Sequence, residues 1–148
     1  MIVERCTSER VDEWVRLRQA LRPDETLEGH LRNAAFMLGS DDAVAYLVHD
    51  GRGNFVAFAE ATLRRDYVNG CSTSPVGFLE GLYVEPLYRR HGIARMLCST
   101  LEDWAASLGC TEFASDVLLH NEVGHRVHTA LGFEEAERVV YFVKQLSA

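Results

Sequence analysis

Gly77 to Leu108 reads GFLEGLYVEPLYRRHGIARMLCSTLEDWAASL, and the architecture follows from this stretch. Phe78 to Val84 is a short, β-rich apolar run that Pro86 ends. Ile93, Leu97, Leu101, Trp104 and Leu108 then recur at three- and four-residue steps, the pattern of one buried helical face, and Gly109 supplies a stop. Between strand and helix lies a basic turn, Arg89-Arg90-His91-Gly92. The first turn of a helix has backbone N–H groups without internal partners and the positive end of the helix dipole. A glycine and arginines there suit an anion such as a pyrophosphate. A strand-to-helix loop that merely needs a residue with φ > 0 has the same spacing, so spacing alone leaves both readings open.

The residue types carry more. Arg89-Arg90-His91-Gly92-Ile93-Ala94 fits R/Q-x-x-G-x-G/A, with Leu82-Tyr83-Val84-Glu85-Pro86 before it and Asn121 and Leu131-Gly132-Phe133 after it. The chain thereby resembles the GNAT N-acetyltransferase superfamily over essentially its whole length. Asp66-Tyr67-Val68-Asn69-Gly70-Cys71, Phe78-Leu79-Glu80-Gly81, Ala114-Ser115-Asp116 and Ala130-Leu131-Gly132-Phe133-Glu134-Glu135 look like the aminoglycoside 6′-N-acetyltransferases within it. The resemblance implies acetyl-CoA as cosubstrate, a cationic small-molecule amine as acceptor, and a homodimer.

Length and composition agree with a small globular enzyme. The 148 residues favour a single domain, 1–148, with 47% apolar and 25% charged residues. The amino terminus, MIVERCTSER, has charges where a signal peptide needs an apolar region, and no apolar run approaches the ~20 residues of a membrane span, so a cytoplasmic protein is expected. A net charge of −7 argues against nucleic acid as a partner and suits a cationic one, although it also serves solubility alone. Cys6, Cys71, Cys98 and Cys110 form no C-x-x-C pair and read as reduced, mostly buried thiols. His125 and His128 can share a helix face, but no H-E-x-x-H or carboxylate stands at ligand spacing, and no metal is expected.

In chain order, Ile2 to Cys6 reads as a strand, followed by a helix capped by Thr7 or Ser8 and stopped near Pro23. Leu27 to Leu38 reads as a second helix ended by Gly39. Ala43 to Val48 and Phe55 to about Leu63 are strands joined by the turn residues Asp50-Gly51-Arg52-Gly53-Asn54. The central strand and long helix follow, then a short strand from Glu112 to Ser115, a helix with Val123, Val127, Ala130 and Leu131, and a final strand from Arg138 to Val143. This order is mixed α/β, with antiparallel pairs early and a parallel crossover around the long helix. The GNAT resemblance implies a mixed central sheet flanked by helices. It also implies that the central strand and the next one splay apart to admit the pantetheine arm.

The resemblance assigns the cofactor-binding backbone to Leu82, Tyr83 and Val84 and the pyrophosphate turn to Arg90, His91, Gly92, Ile93, Ala94 and Arg95. Asn121 stands at a helix start, where it serves as N-cap or gives its amide to the cofactor arm. Glu80 interrupts an apolar strand, where it faces the surface or a pocket. Asp116 ends a strand, where ligand groups gather in open α/β sheets, and also suits a cap or turn. Glu137 is most simply a solvated charge, and Tyr67 a loop anchor. The resemblance makes Tyr67, Glu80, Asp116 and Glu137 acceptor contacts, with Asp116 or Glu80 receiving a proton.

Two positions depart from the family pattern. His128 stands where many GNAT enzymes carry a tyrosine acid, and reads as an ordinary helix-surface histidine. Arg22 replaces an aromatic residue, which weakens the case for a cationic acceptor. A GNAT enzyme for a polyamine or peptide amine, and a non-catalytic acetyl-CoA-binding module, are the competing readings.

Overall fold

The computed structural model describes residues 1–147. Five strands form one sheet in the order β1 (Ile2–Arg5), β2 (Ala43–His49), β3 (Phe55–Arg64), β4 (Val76–Val84), β5 (Phe113–Ala114). The first three pairings are antiparallel, and β4 pairs β5 in parallel across the long helix α3 (Ile93–Ser107). Helices α1 (Val11–Leu21) and α2 (Leu27–Leu38) follow β1, and α4 (Glu122–Ala130) follows β5. Thr26 caps α2, its hydroxyl accepting from Gly29 N–H at 3.0 Å.

Each face of the sheet buries its own core. Trp14 and Leu17 of α1 and Ala34 and Met37 of α2 pack on Leu47 and Phe58, whereas Leu97, Leu101 and Trp104 of α3 pack with Val44, Val48 and Leu79. Ile93, Leu97, Leu101 and Trp104 thus become one wall of the core, whereas Leu108, the C-cap just past α3, is exposed instead of buried. No helix among the described residues is long and apolar enough to cross a membrane.

Two features of β4 prepare a site. Its register against β3 shifts at Glu60/Ala61, so that Glu60 faces Gly81 and Ala61 faces Leu79, leaving Glu80 as an extra residue. On the other edge, β4 pairs β5 only at Gly77↔Phe113 and Phe78↔Ala114. Leu79 to Val84 run on without a strand partner on that side, which is the splay the family resemblance implies.

The expected final strand is a correction. Among the described residues, 138–143 form no strand: the segment pairs with none of the five strands, and a strand needs a partner for its N–H and C=O groups. Val140, Tyr141, Phe142 and Val143 lie exposed, Phe142 at 93%.

Candidate active site

The turn after β4 is built to receive an anion. Pro86–Tyr88 forms one 3-10 turn, and Arg89 Nε donates to the Val84 carbonyl at 2.8 Å, fastening the loop to the strand end. Arg90 (φ 65°) and Gly92 (φ 78°) both adopt the left-handed conformation, which turns successive N–H groups towards one side. No side chain caps α3, and Met96 N–H bonds Gly92 O at 3.0 Å. The N–H groups of Ile93, Ala94 and Arg95 precede that first helical bond and are left for a ligand. A Cβ on Gly92 meets no protein atom within 4 Å, so the room beside it is free. This end of α3 fits a pyrophosphate, and the unpaired edge of β4 from Leu79 to Val84 offers the backbone groups that an extended pantetheine arm requires.

Asn121 caps α4, its side-chain oxygen accepting from Gly124 N–H at 2.9 Å. That bond uses the oxygen and leaves the amide NH₂ free to face a ligand.

The acidic residues fall into separate settings. Glu80 is half-buried and already engaged: Thr62 Oγ1 donates to it at 2.7 Å and Arg64 grips both its oxygens, with Arg64 Nη2 2.9 Å from each. The Arg64 guanidinium also stacks 3.5 Å from the Phe78 ring centre. Asp116, just past β5, is exposed, and Tyr67 is 74% exposed, so its ring is not a buried loop anchor. Glu137 lies at the root of the carboxyl-terminal segment and lines a cavity of about 650 Å³ beside β5, together with Phe113, Ser115, His128 and Phe133. The lining of that cavity includes none of Tyr67, Glu80 and Asp116.

Two neighbouring positions read differently in three dimensions. Arg22 is not a free cation in the cleft: Nη2 donates to the Glu80 carbonyl at 2.5 Å and Nη1 lies 3.6 Å from Glu60. His128 is not an ordinary surface histidine: it is half-buried, with Nδ1 2.7 Å from the Gly124 carbonyl and Nε2 2.7 Å from Ser115 Oγ.

Sequence reading missed Glu60. It is 2% exposed in β3, where Trp14 Nε1 donates to it at 2.9 Å and Arg18 forms a buried ion pair with it. His30 Nδ1 accepts from Arg18 Nε at 3.3 Å, while His30 Nε2 donates to the Arg22 carbonyl at 3.0 Å. Gly81 gives this carboxylate its room, since a Cβ there sits 3.2 Å from Glu60 Oε1. A charge inside an otherwise apolar strand, together with Trp14 and Arg18 one turn apart on the first helix, was the available signal.

The splayed strands and the uncapped α3 together mark the class. The acetyltransferase (GNAT) family model matches residues 5–133, and the chain belongs to that family. Its relatives are more particular. Aminoglycoside N(6′)-acetyltransferases type 1 from Acinetobacter genomosp. 13 and Serratia marcescens are 47% and 45% identical to it. The alignments cover 90% and 95% of this chain and 91% and 97% of theirs. The apo crystal structure of the aminoglycoside 6′-N-acetyltransferase AAC(6′)-Ig from Acinetobacter haemolyticus superposes with a TM-score of 0.95 at 41% identity, covering 99% of this chain and 100% of that one. AAC(6′)-Iy, solved with the bisubstrate analogue CoA-S-monomethyl-acetylneamine, gives 0.92 at 37% identity over 98% of both chains.

Proposed function

We propose that this protein transfers the acetyl group of acetyl-CoA to the 6′-amino group of aminoglycoside antibiotics, by direct attack in a ternary complex, and so confers resistance. The observation that carries the acetyl-CoA half is the uncapped α3 terminus beside Arg90 and Gly92, set against the unpaired edge of β4. The acceptor half is supported by the similarity to aminoglycoside 6′-N-acetyltransferases over nearly the full length of both chains.

In this reading Leu82, Tyr83 and Val84 hold the pantetheine arm through their backbone, and Arg90 to Arg95 bind the pyrophosphate. The free amide of Asn121 steadies the arm. Tyr67, Glu80, Asp116 and Glu137 meet the cationic acceptor, whose ammonium groups suit charge-assisted hydrogen bonds to carboxylates. The reaction needs a neutral amine, and in this reading Asp116, whose exposure leaves it open to a ligand, takes the ammonium proton; Glu80, held by Arg64, serves chiefly to orient. Bound in place, the thioester supplies the acetyl group, and a backbone N–H of β4 steadies the charge that develops on its oxygen.

The whole chain, 1–148, forms one catalytic domain, and the working enzyme is a cytoplasmic homodimer. The dimer rests on the exposed apolar residues Val140, Tyr141, Phe142 and Val143 and on β5, whose two residues pair only β4 within the chain. The cytoplasm rests on four free cysteines and on a cosubstrate made inside cells.

Free-thiol release from acetyl-CoA, with kanamycin A, tobramycin, spermidine and a lysine peptide offered separately, tests the reading. Turnover confined to the aminoglycosides with a 6′-amine is expected. Turnover only on the other amines discards the drug acceptor, and silence on all, with CoA still bound, makes the chain a non-catalytic module. Asp116→Asn is expected to lower kcat more than acetyl-CoA affinity, and a wild-type rate rejects Asp116 as proton acceptor.

A further inference from the structure

Within that reading, we infer that Ser115 and His128 form a proton relay between the attacking amine and the departing sulfur. The geometry fixes the tautomer. A carbonyl can only accept, so the 2.7 Å contact to the Gly124 carbonyl makes His128 Nδ1 the protonated nitrogen. Nε2 is then an acceptor, and Ser115 Oγ–H donates to it at 2.7 Å. Ser115 Oγ accepts no hydrogen bond from any described residue, so its lone pairs are left for a ligand. This is the nucleophile-base-orienter arrangement, with a carbonyl as the third group. Phe133 packs its ring against the imidazole, with ring centres 5.3 Å apart, and holds it in this setting.

The pair also stands in a working position. Ser115 is the first residue past Ala114, where β5 ceases to pair with β4. On the other side, Arg95 in the first turn of α3 donates to the Ala130 carbonyl at 2.7 Å and ties the last turn of α4, with His128, to the phosphate-binding turn. The relay therefore joins the strand end at the gap to the helix beside the anion site.

Two protons leave an ammonium group that becomes an amide. The first goes to a carboxylate before attack. As the nitrogen lone pair forms the N–C bond, the second passes to Ser115 Oγ while Ser115 gives its own proton to His128 Nε2. The imidazolium so formed has both N–H groups satisfied, one by the Gly124 carbonyl and one by Ser115 Oγ. As the C–S bond breaks and its electron pair leaves with sulfur, the proton returns through Ser115 to that sulfur. Amine and thioester become amide and thiol, with no further reactant.

The test uses the full-length enzyme with Ser115→Ala, Ser115→Thr and His128→Gln. Ser115→Ala and His128→Gln are each expected to lower kcat by roughly 100-fold or more, with the CoA dissociation constant essentially that of wild type. The double variant should lose no more than either single one, because one relay is broken once, and Ser115→Thr, which keeps the hydroxyl, should recover most of the rate. Nitrogen-15 spectra should show His128 protonated at Nδ1. The relay is overturned by a Ser115→Ala rate within about threefold of wild type, by losses that multiply, or by the opposite tautomer. Acetyl trapped on Ser115 before any amine is added replaces it with a covalent route. A wild-type enzyme active only on other amines fails the acceptor reading alone, and the relay is then measured on that amine.

Discussion

At the scale of single residues, Glu60 and Gly92 show opposite demands. Glu60 is a carboxylate sealed inside the sheet, affordable only because Arg18 pairs with it and Trp14 donates to it. Arg18→Met leaves that charge buried with its main partner gone, and is expected to cost about 3–5 kcal/mol in urea unfolding; a loss under about 1 kcal/mol rejects the pairing as a structural requirement. Gly92 answers to the backbone and not to packing: its φ of 78° disfavours other residues, yet a Cβ there meets no protein atom. Gly92→Glu brings both strain and negative charge to the anion site. Calorimetry should show CoA affinity falling by about 100-fold or more, about 2.7 kcal/mol or more. An unchanged affinity removes the phosphate turn from the site.

At the scale of elements, the carboxyl-terminal segment decides the most. Val140 and Phe142 are 78% and 93% exposed on a stretch that has the composition of a strand and no strand to pair with. In the proposed dimer, a second copy supplies the missing edge and buries these side chains. Val140→Glu with Phe142→Glu is therefore expected to convert the dimer to monomer in sedimentation, with little change in the helices and sheet of each chain. A wild-type protein that sediments as a monomer at working concentration overturns this account. The contrast with α3 is instructive, since Leu97 and Leu101 find their core within the chain and need no second copy.

At the scale of the whole molecule, the four cysteines report how tightly the two cores close. Burial pushes the Cys6 and Cys98 thiols up to about 12, with the carboxylates Glu4 and Glu102 adding to it. The unfolded chain releases these protons first, at the ordinary thiol value of 9.0. The folded state thus keeps this contribution below about pH 9 and loses it as pH rises towards about 12. A urea midpoint that falls across that window, and falls less when Cys6 and Cys98 are changed to Ala, is the expected result; an unchanged midpoint contradicts the burial. Native labelling at neutral pH should modify half-exposed Cys71 well before either buried thiol.

The chain alone determined its elements, because each rests on local chemistry. Apolar steps from Ile93 to Leu108 can bury only as a helix, Pro86 can only end a strand, and Gly92 can open a helix in the left-handed conformation at little cost. The proposed acetyl-CoA turn was legible for the same reason, since its N–H groups come from consecutive residues. Tertiary structure decided whatever depends on partners distant in sequence. The Arg18–Glu60 pair spans 42 positions and the Ser115–His128 contact 13, so no motif announces either. Arg22 reads in the sequence as a cation in an aromatic residue's place, and only the fold sets it against the Glu80 carbonyl. His128 looked like a surface residue because helical periodicity describes one helix and not the strand end beside it. The segment from Arg138 to Val143 has strand chemistry in its residues, but a strand is a property of two backbones, and this chain provides only one of them.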